Sequence, residues 1–224
     1  MVEGRYKDRQ EAGQTLATHL MQYANRRDVL VLALPRGGVP VAYEVARALH
    51  APLDVFLVRK LGAPGHEELA MGAIASGGIR VLNAGVIGTL GIPENTIEQA
   101  TEREQRELER RTQEYRDNRP MPVLRGKTVI LIDDGLATGA TMRAAVRAVR
   151  QKQPQRVVVA VPVAAPSTCA ELAEEVDEMV CVRRPEPFFG VGLWYENFAQ
   201  TSDDEVRALL TRATKEIPVP SWNQ

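Results

Sequence analysis

Cysteine is nearly absent from this chain, which carries only Cys169 and Cys181. Two thiols cannot make a disulfide framework, and two reduced, buried cysteines are the expectation. Long apolar runs are missing too. None approaches the roughly 18–20 residues that a spanning helix requires, so no membrane partner is expected. Charge of either sign is not in excess. A formal net charge of −1 gives no global attraction to nucleic acid or to an anionic surface. Met1 to Gln10 is polar and charged, unlike a secretory signal. These absences together point to the cytoplasm. No internal repeat or low-complexity segment interrupts the 224 residues. That length suits one sizeable core and is short for two, so residues 1–224 read as a single domain.

What is present is an alternation of strand and helix patterns. Asp28–Leu34, Leu53–Lys60, Lys127–Asp133, Arg156–Val163 and Glu178–Val182 are runs rich in Val, Ile and Leu. They do not alternate apolar with polar, which is how strands buried on both faces of a parallel sheet read. Helical patterns occupy Asp8–Tyr23, Val39–His50, Ala140–Lys152 and Pro166–Val176. The fold class is therefore α/β, with a central, mostly parallel five-stranded sheet flanked by helices. Residues 61–116 interrupt the alternation. Leu61–Leu90 is rich in Gly and reads as a flexible hairpin loop. Pro93–Arg116 is dense in Glu and Arg, with a thin apolar stripe of Ile97, Ala100, Leu108 and Tyr115. It predicts a long, solvated, charged helix.

The segment VILIDDGLATGATM, Val129–Met142, carries the chemistry. An apolar strand runs into Asp133 and Asp134, at the strand end where open parallel sheets bind ligands. Adjacent carboxylates raise each other's pKa unless hydroxyl donors or a metal ion stabilise them. Gly135, Ala137, Gly139 and Ala140 are small enough for a ligand to approach the backbone. The N-terminus of the following helix offers free N–H groups, and Thr138 and Thr141 add hydroxyls. Hydroxyl affinity followed by phosphate affinity matches a ribose 5-phosphate. The segment contains neither a Walker loop nor the G-x-G-x-x-G pattern.

This segment resembles the phosphoribosyl-pyrophosphate motif of the type I phosphoribosyltransferases. The resemblance implies that Asp133 and Asp134 hold the ribose hydroxyls and serve catalysis. It also implies that Ala137, Thr138, Gly139, Ala140 and Thr141 cup the 5-phosphate. Pro35–Gly38, P-R-G-G, is similar to the family's pyrophosphate loop, which assigns Arg36, Gly37 and Gly38 to substrate. Arg59 and the catalytic candidate Lys60 stand where the family carries cations before its flexible loop. His66 and Glu67 lie in that loop and are secondary acid/base candidates. Residues 183–200 resemble the family's C-terminal hood, with Phe188, Phe189 and Trp194 as base-stacking candidates. Packing of a small subdomain would explain the same aromatics.

Two departures stand out. Trp194 replaces an Asp found in the 6-oxopurine members, and Ala137 replaces their Asp acid/base, as adenine-type members also do. The whole chain looks most like a bacterial branch of predicted phosphoribosyltransferases whose acceptor is unsettled. The family resemblance implies transfer of ribose 5-phosphate from phosphoribosyl pyrophosphate to a small nitrogenous acceptor, with Arg36, Arg59 and Lys60 neutralising the leaving group. It implies Mg²⁺, held by Asp133 and Asp134 indirectly through ribose hydroxyls or water, and a homodimer. The alternative is a non-catalytic regulatory binder of phosphoribosyl pyrophosphate or a nucleotide. No nucleic-acid partner is expected.

Overall fold

The computed structural model describes residues 4–117 and 119–217. In chain order its strands are β1 (Val29–Ala33), β2 (Leu53–Val55), β3 (Val58–Ala63), β4 (His66–Ala75), β5 (Ile79–Leu82), β6 (Thr128–Ile132), β7 (Arg156–Val163) and β8 (Glu178–Arg183). Its α-helices are α1 (Arg9–Thr18), α2 (Gly38–Leu49), α3 (Ala84–Leu90), α4 (Glu94–Arg116), α5 (Ala140–Gln151), α6 (Pro166–Ala173) and α7 (Asp203–Glu216). Five strands form one sheet in the order β2-β1-β6-β7-β8, and every pair in it is parallel. The expected fold class is what the structure shows.

The sequence pattern explains the burial. Along β1, Val29, Val31 and Ala33 face a cluster that includes residues of α1, α2, α4 and α7. Leu30 and Leu32 face the opposite cluster, with α5 and α6. β6 divides the same way, Ile130 and Ile132 against Val129 and Leu131. Both faces are covered, so no residue of these strands needed to be polar. Each fully buried side chain of this size contributes about 1.5–3 kcal/mol. The apolar stripe of α4 behaves as its spacing predicts: Ile97, Ala100, Leu108 and Tyr115 are buried.

Three expectations are corrected. Leu53–Lys60 is not one strand. The chain leaves the parallel sheet after Val55, and Leu57 exchanges hydrogen bonds with Ser76. Val58 then opens a separate antiparallel sheet of order β3-β4-β5, in which the expected hairpin is the β4–β5 pair and β3 is an added strand. The helix begun at Asp8 stops at Thr18, with a short 3₁₀ turn at Met21–Tyr23. Two helices had no counterpart in the sequence reading, α3 and α7. The second has a conventional start, in which Ser202 accepts from the Glu205 N–H and three acids fill the first turn. Among the described residues, no helix is long and apolar enough to cross a membrane.

Candidate active site

β6 ends at Ile132 and delivers Asp133 and Asp134 to the carboxyl edge of the sheet. The two acids are not equivalent. Asp133 Oδ1 accepts the backbone N–H of Asp134 at 2.9 Å. Among the described residues it makes no ion pair. Asp134 Oδ2 accepts from Nε of Arg9 at 2.8 Å, a pair whose side chains are only 13% and 12% exposed. Burial pushes the Asp133 carboxyl well above the usual carboxylate range, and the Asp134 charge adds to it. Burial also raises Asp134, while the Arg9 guanidinium pulls it back down.

Beyond the acids, Leu136 pairs with the end of β7, accepting from Ala165 N–H and donating to the Val163 carbonyl. This anchors a loop whose next residues, Ala137 and Thr138, are exposed. The Thr168 hydroxyl of α6 donates to the Ala137 carbonyl at 2.6 Å and fixes the loop from behind. Gly139 caps α5 with φ 71°, a left-handed conformation that favours glycine. Ala140 and Thr141, the first residues of α5, are exposed. An open loop at a helix N-terminus is the geometry of an anion cradle. Thr138 and Ala140 also line a pocket of about 320 Å³ that α5 shares with β4 and β5.

The P-R-G-G turn lies directly against the acids. A Cβ on Gly37 would stand 2.0 Å from Asp134 Oδ2, and one on Gly38 would stand 2.7 Å from the Ile132 carbonyl oxygen. Only glycine lets β1 and β6 end so close together. The Pro35–Arg36 peptide is cis. Arg36 Nη1 lies 3.5 Å from Asp203 Oδ2 of α7. Arg59 and Lys60 sit on β3, not at the edge of the parallel sheet as expected. Arg59 pairs with Glu104 of α4 at 2.6 Å, and Lys60 is exposed. His66 is exposed at the β3–β4 turn. The side chain of Glu67 lies outside the described residues.

The hood is built onto the N-terminus. Tyr6 pairs with Tyr195, donating to the Trp194 carbonyl and accepting from Glu196 N–H. Tyr195 then donates its hydroxyl to the Asp134 carbonyl at 2.5 Å. Phe188 and Trp194 are half-buried against this cluster, whereas Phe189 is 81% exposed. Of the three stacking candidates, two thus pack against this cluster and one projects outward. Arg9 was invisible to the sequence reading. It lies 125 residues from Asp134, and no local motif marks it.

Paired acids at a strand end, an exposed helix start five residues on and a glycine turn alongside thus stand together at the carboxyl edge of a parallel α/β sheet. Comparison with known proteins gives the family: the phosphoribosyl transferase domain family matches residues 4–197, and the chain belongs to that family. Two curated proteins from Mycobacterium tuberculosis, strains CDC 1551 and H37Rv, are each 46% identical over 212 residues and named as candidate phosphoribosyl transferases. The match covers 95% of this chain and 48% of theirs, so the chain spans about half their length. The crystal structure of the TT1426 protein of Thermus thermophilus superposes with a TM-score of 0.85 at 43% identity, covering 93% of this chain and 98% of that one. The AQ2163 protein of Aquifex aeolicus shares the fold, with a TM-score of 0.50 at 15% identity over 90% and 85% of the two chains.

Proposed function

We propose that this chain transfers the ribose 5-phosphate group of phosphoribosyl pyrophosphate to a nitrogenous, nucleobase-like acceptor and releases pyrophosphate. One observation carries the reading: two adjacent carboxylates, one of them without an ion pair among the described residues, stand beside an exposed cradle at the start of α5. In this reading Asp133 and Asp134 hold the ribose hydroxyls and stabilise positive charge developing on the ring. Ala137 to Thr141 hold the 5-phosphate. The backbone of Gly37 and Gly38, with Arg36, receives the pyrophosphate. Arg59 and Lys60 are assigned to it by the family resemblance; Arg59 pairs with Glu104. Catalysis is then mainly positional and electrostatic.

Two adjacent carboxylates are hard oxygen donors of the kind Mg²⁺ takes together with waters and substrate oxygens; among the described residues no group of three or more His, Cys, Asp or Glu could hold a metal ion unaided. When bound, Mg²⁺ neutralises charge on the pyrophosphate. The same reading places the chain in the cytoplasm as a homodimer. It treats residues 61–116 as an insertion and 183–200 as the hood of one domain.

The test is pyrophosphate release from labelled phosphoribosyl pyrophosphate with Mg²⁺ and a panel of bases. Hypoxanthine and guanine should be poor acceptors. Ala137 supplies no general base, a contribution of typically 10²–10⁴-fold where one is in reach. Adenine, or a base already anionic at neutral pH, should be better. Binding without release for any base would favour the regulatory reading, to which the existing pairs of Arg36 and Arg59 with acids lend support.

A further inference from the structure

Arg9 is the first residue of α1, where a cation opposes the helix dipole. Its place is therefore not explained by the stability of that helix. Its guanidinium is almost enclosed and spends its donors on two distant segments. Nε donates to Asp134 Oδ2 at 2.8 Å, and Nη1 donates to the Ala199 carbonyl at 2.7 Å, 190 residues away. The guanidinium carbon lies 4.0 Å from the centre of the Phe198 ring and 6.0 Å from that of Tyr195. On its other side, a Cβ on Gly37 would fall 3.3 Å from Nε. N-terminal helix, acidic pair, glycine turn and hood thus meet at one side chain.

The hydrogen-bond arrangement of the acids makes the consequence concrete. Asp133 Oδ1 is taken by the Asp134 N–H, and Asp134 Oδ2 by Arg9. Among the described residues, Asp133 Oδ2 and Asp134 Oδ1 have no such partner. Two neighbouring carboxylates that each keep one acceptor oxygen can receive two neighbouring hydroxyls. A carboxylate without the Arg9 fork can rotate about its own bond, and the free oxygen would then have no fixed direction.

We propose that Arg9 is a positioning residue: it turns Asp134 so that the acidic pair reads the vicinal hydroxyls of the ribose, and it pins the hood segment at Ala199 to that pair. The proposal rests on the ribose-binding reading of Asp133 and Asp134. A planar donor that presents two N–H groups to separate acceptors is needed for this, so lysine should replace it only in part.

The experiment compares ribose 5-phosphate with 2-deoxyribose 5-phosphate by calorimetry on the full chain, for wild type, Arg9→Gln and Arg9→Lys. Wild type should prefer the ribose compound by about tenfold, the scale of one charge-assisted hydrogen bond. Arg9→Gln should bind the deoxy compound as wild type does and lose most of the preference. Arg9→Lys should fall between. A merely structural role would weaken both ligands together and leave their ratio unchanged, and that result overturns the proposal. If Arg9→Gln does not fold, Phe198→Leu, which removes the ring beneath the guanidinium, should still lower the ratio; an unchanged ratio there counts equally against it. Wild type that binds ribose 5-phosphate but shows an intact preference in every variant defeats the role of Arg9 alone. Wild type that binds neither sugar, or does not discriminate between them, defeats the ribose reading and the proposal with it.

Discussion

Asp133 is held by the fold at a cost to the fold. It is half-buried beside another carboxylate, and its pKa is raised, first by loss of solvation and then by the Asp134 charge. A raised folded-state pKa means that the native protein holds this proton more tightly than the unfolded chain. The destabilisation is absent below the unfolded carboxyl pKa of about 4 and grows as pH climbs from there towards the folded value. Above that value it is complete. Asp133→Asn should therefore melt higher than wild type at pH 7–8, with the difference shrinking towards zero near pH 4. Thermal melts of both proteins across that range check this. A variant that melts lower at pH 8 would show that the carboxylate is stabilised by partners not identified among its neighbours. The acids, the cradle and the glycine turn were legible in the sequence because each is a run of consecutive residues with its own chemistry. Arg9 was not, because its partners are 125 and 190 residues away and the fold alone brings them together. The aromatics of the hood were legible as a cluster, but not in their directions: Phe188 and Trp194 pack inward while Phe189 projects.

At the scale of elements, the long helix α4 is tied to the sheet by a charge as well as by its apolar stripe. Arg116, at its last turn, is 2% exposed and donates to Asp54 Oδ2 of β2 at 2.6 Å and to the Pro120 carbonyl at 3.0 Å. Breaking a buried pair from one side strands the other charge, which costs roughly 3–5 kcal/mol. Replacing both partners with apolar residues is often near neutral. Asp54→Ala should thus lose on the order of 3 kcal/mol in urea unfolding, and Asp54→Leu combined with Arg116→Met clearly less. Equal losses in the single and double variants would contradict this view of the joint. The sequence showed the charge density and the stripe of α4 but not the burial of Arg116, since an arginine in a run of Glu and Arg reads as solvated. The break between β2 and β3 was hidden for a related reason. LDVFLVRK contains no Gly or Pro, and at the break Leu57 bonds to Ser76, nineteen residues further on. Helix α7 did carry its signal, a Ser cap followed by three acids, but its surroundings read as hood.

Across the whole molecule, the parallel sheet follows from five apolar runs, and the crevice at its carboxyl edge follows from the sheet. Two of the cations expected at that crevice are paired with acids, Arg36 with Asp203 and Arg59, on β3, with Glu104. Under the proposed function a polyanionic ligand competes with Asp203 for Arg36, so binding comes before turnover. A calorimetric titration with phosphoribosyl pyrophosphate and Mg²⁺ tests that binding most directly, paired with a thermal melt. Saturable binding is predicted, with a stabilisation of about 2.7 kcal/mol at ~100 times the dissociation constant. Ribose 5-phosphate should bind more weakly and ATP little. No heat and no melting shift with any ribose phosphate, or a response to ATP equal to that of phosphoribosyl pyrophosphate, would contradict it.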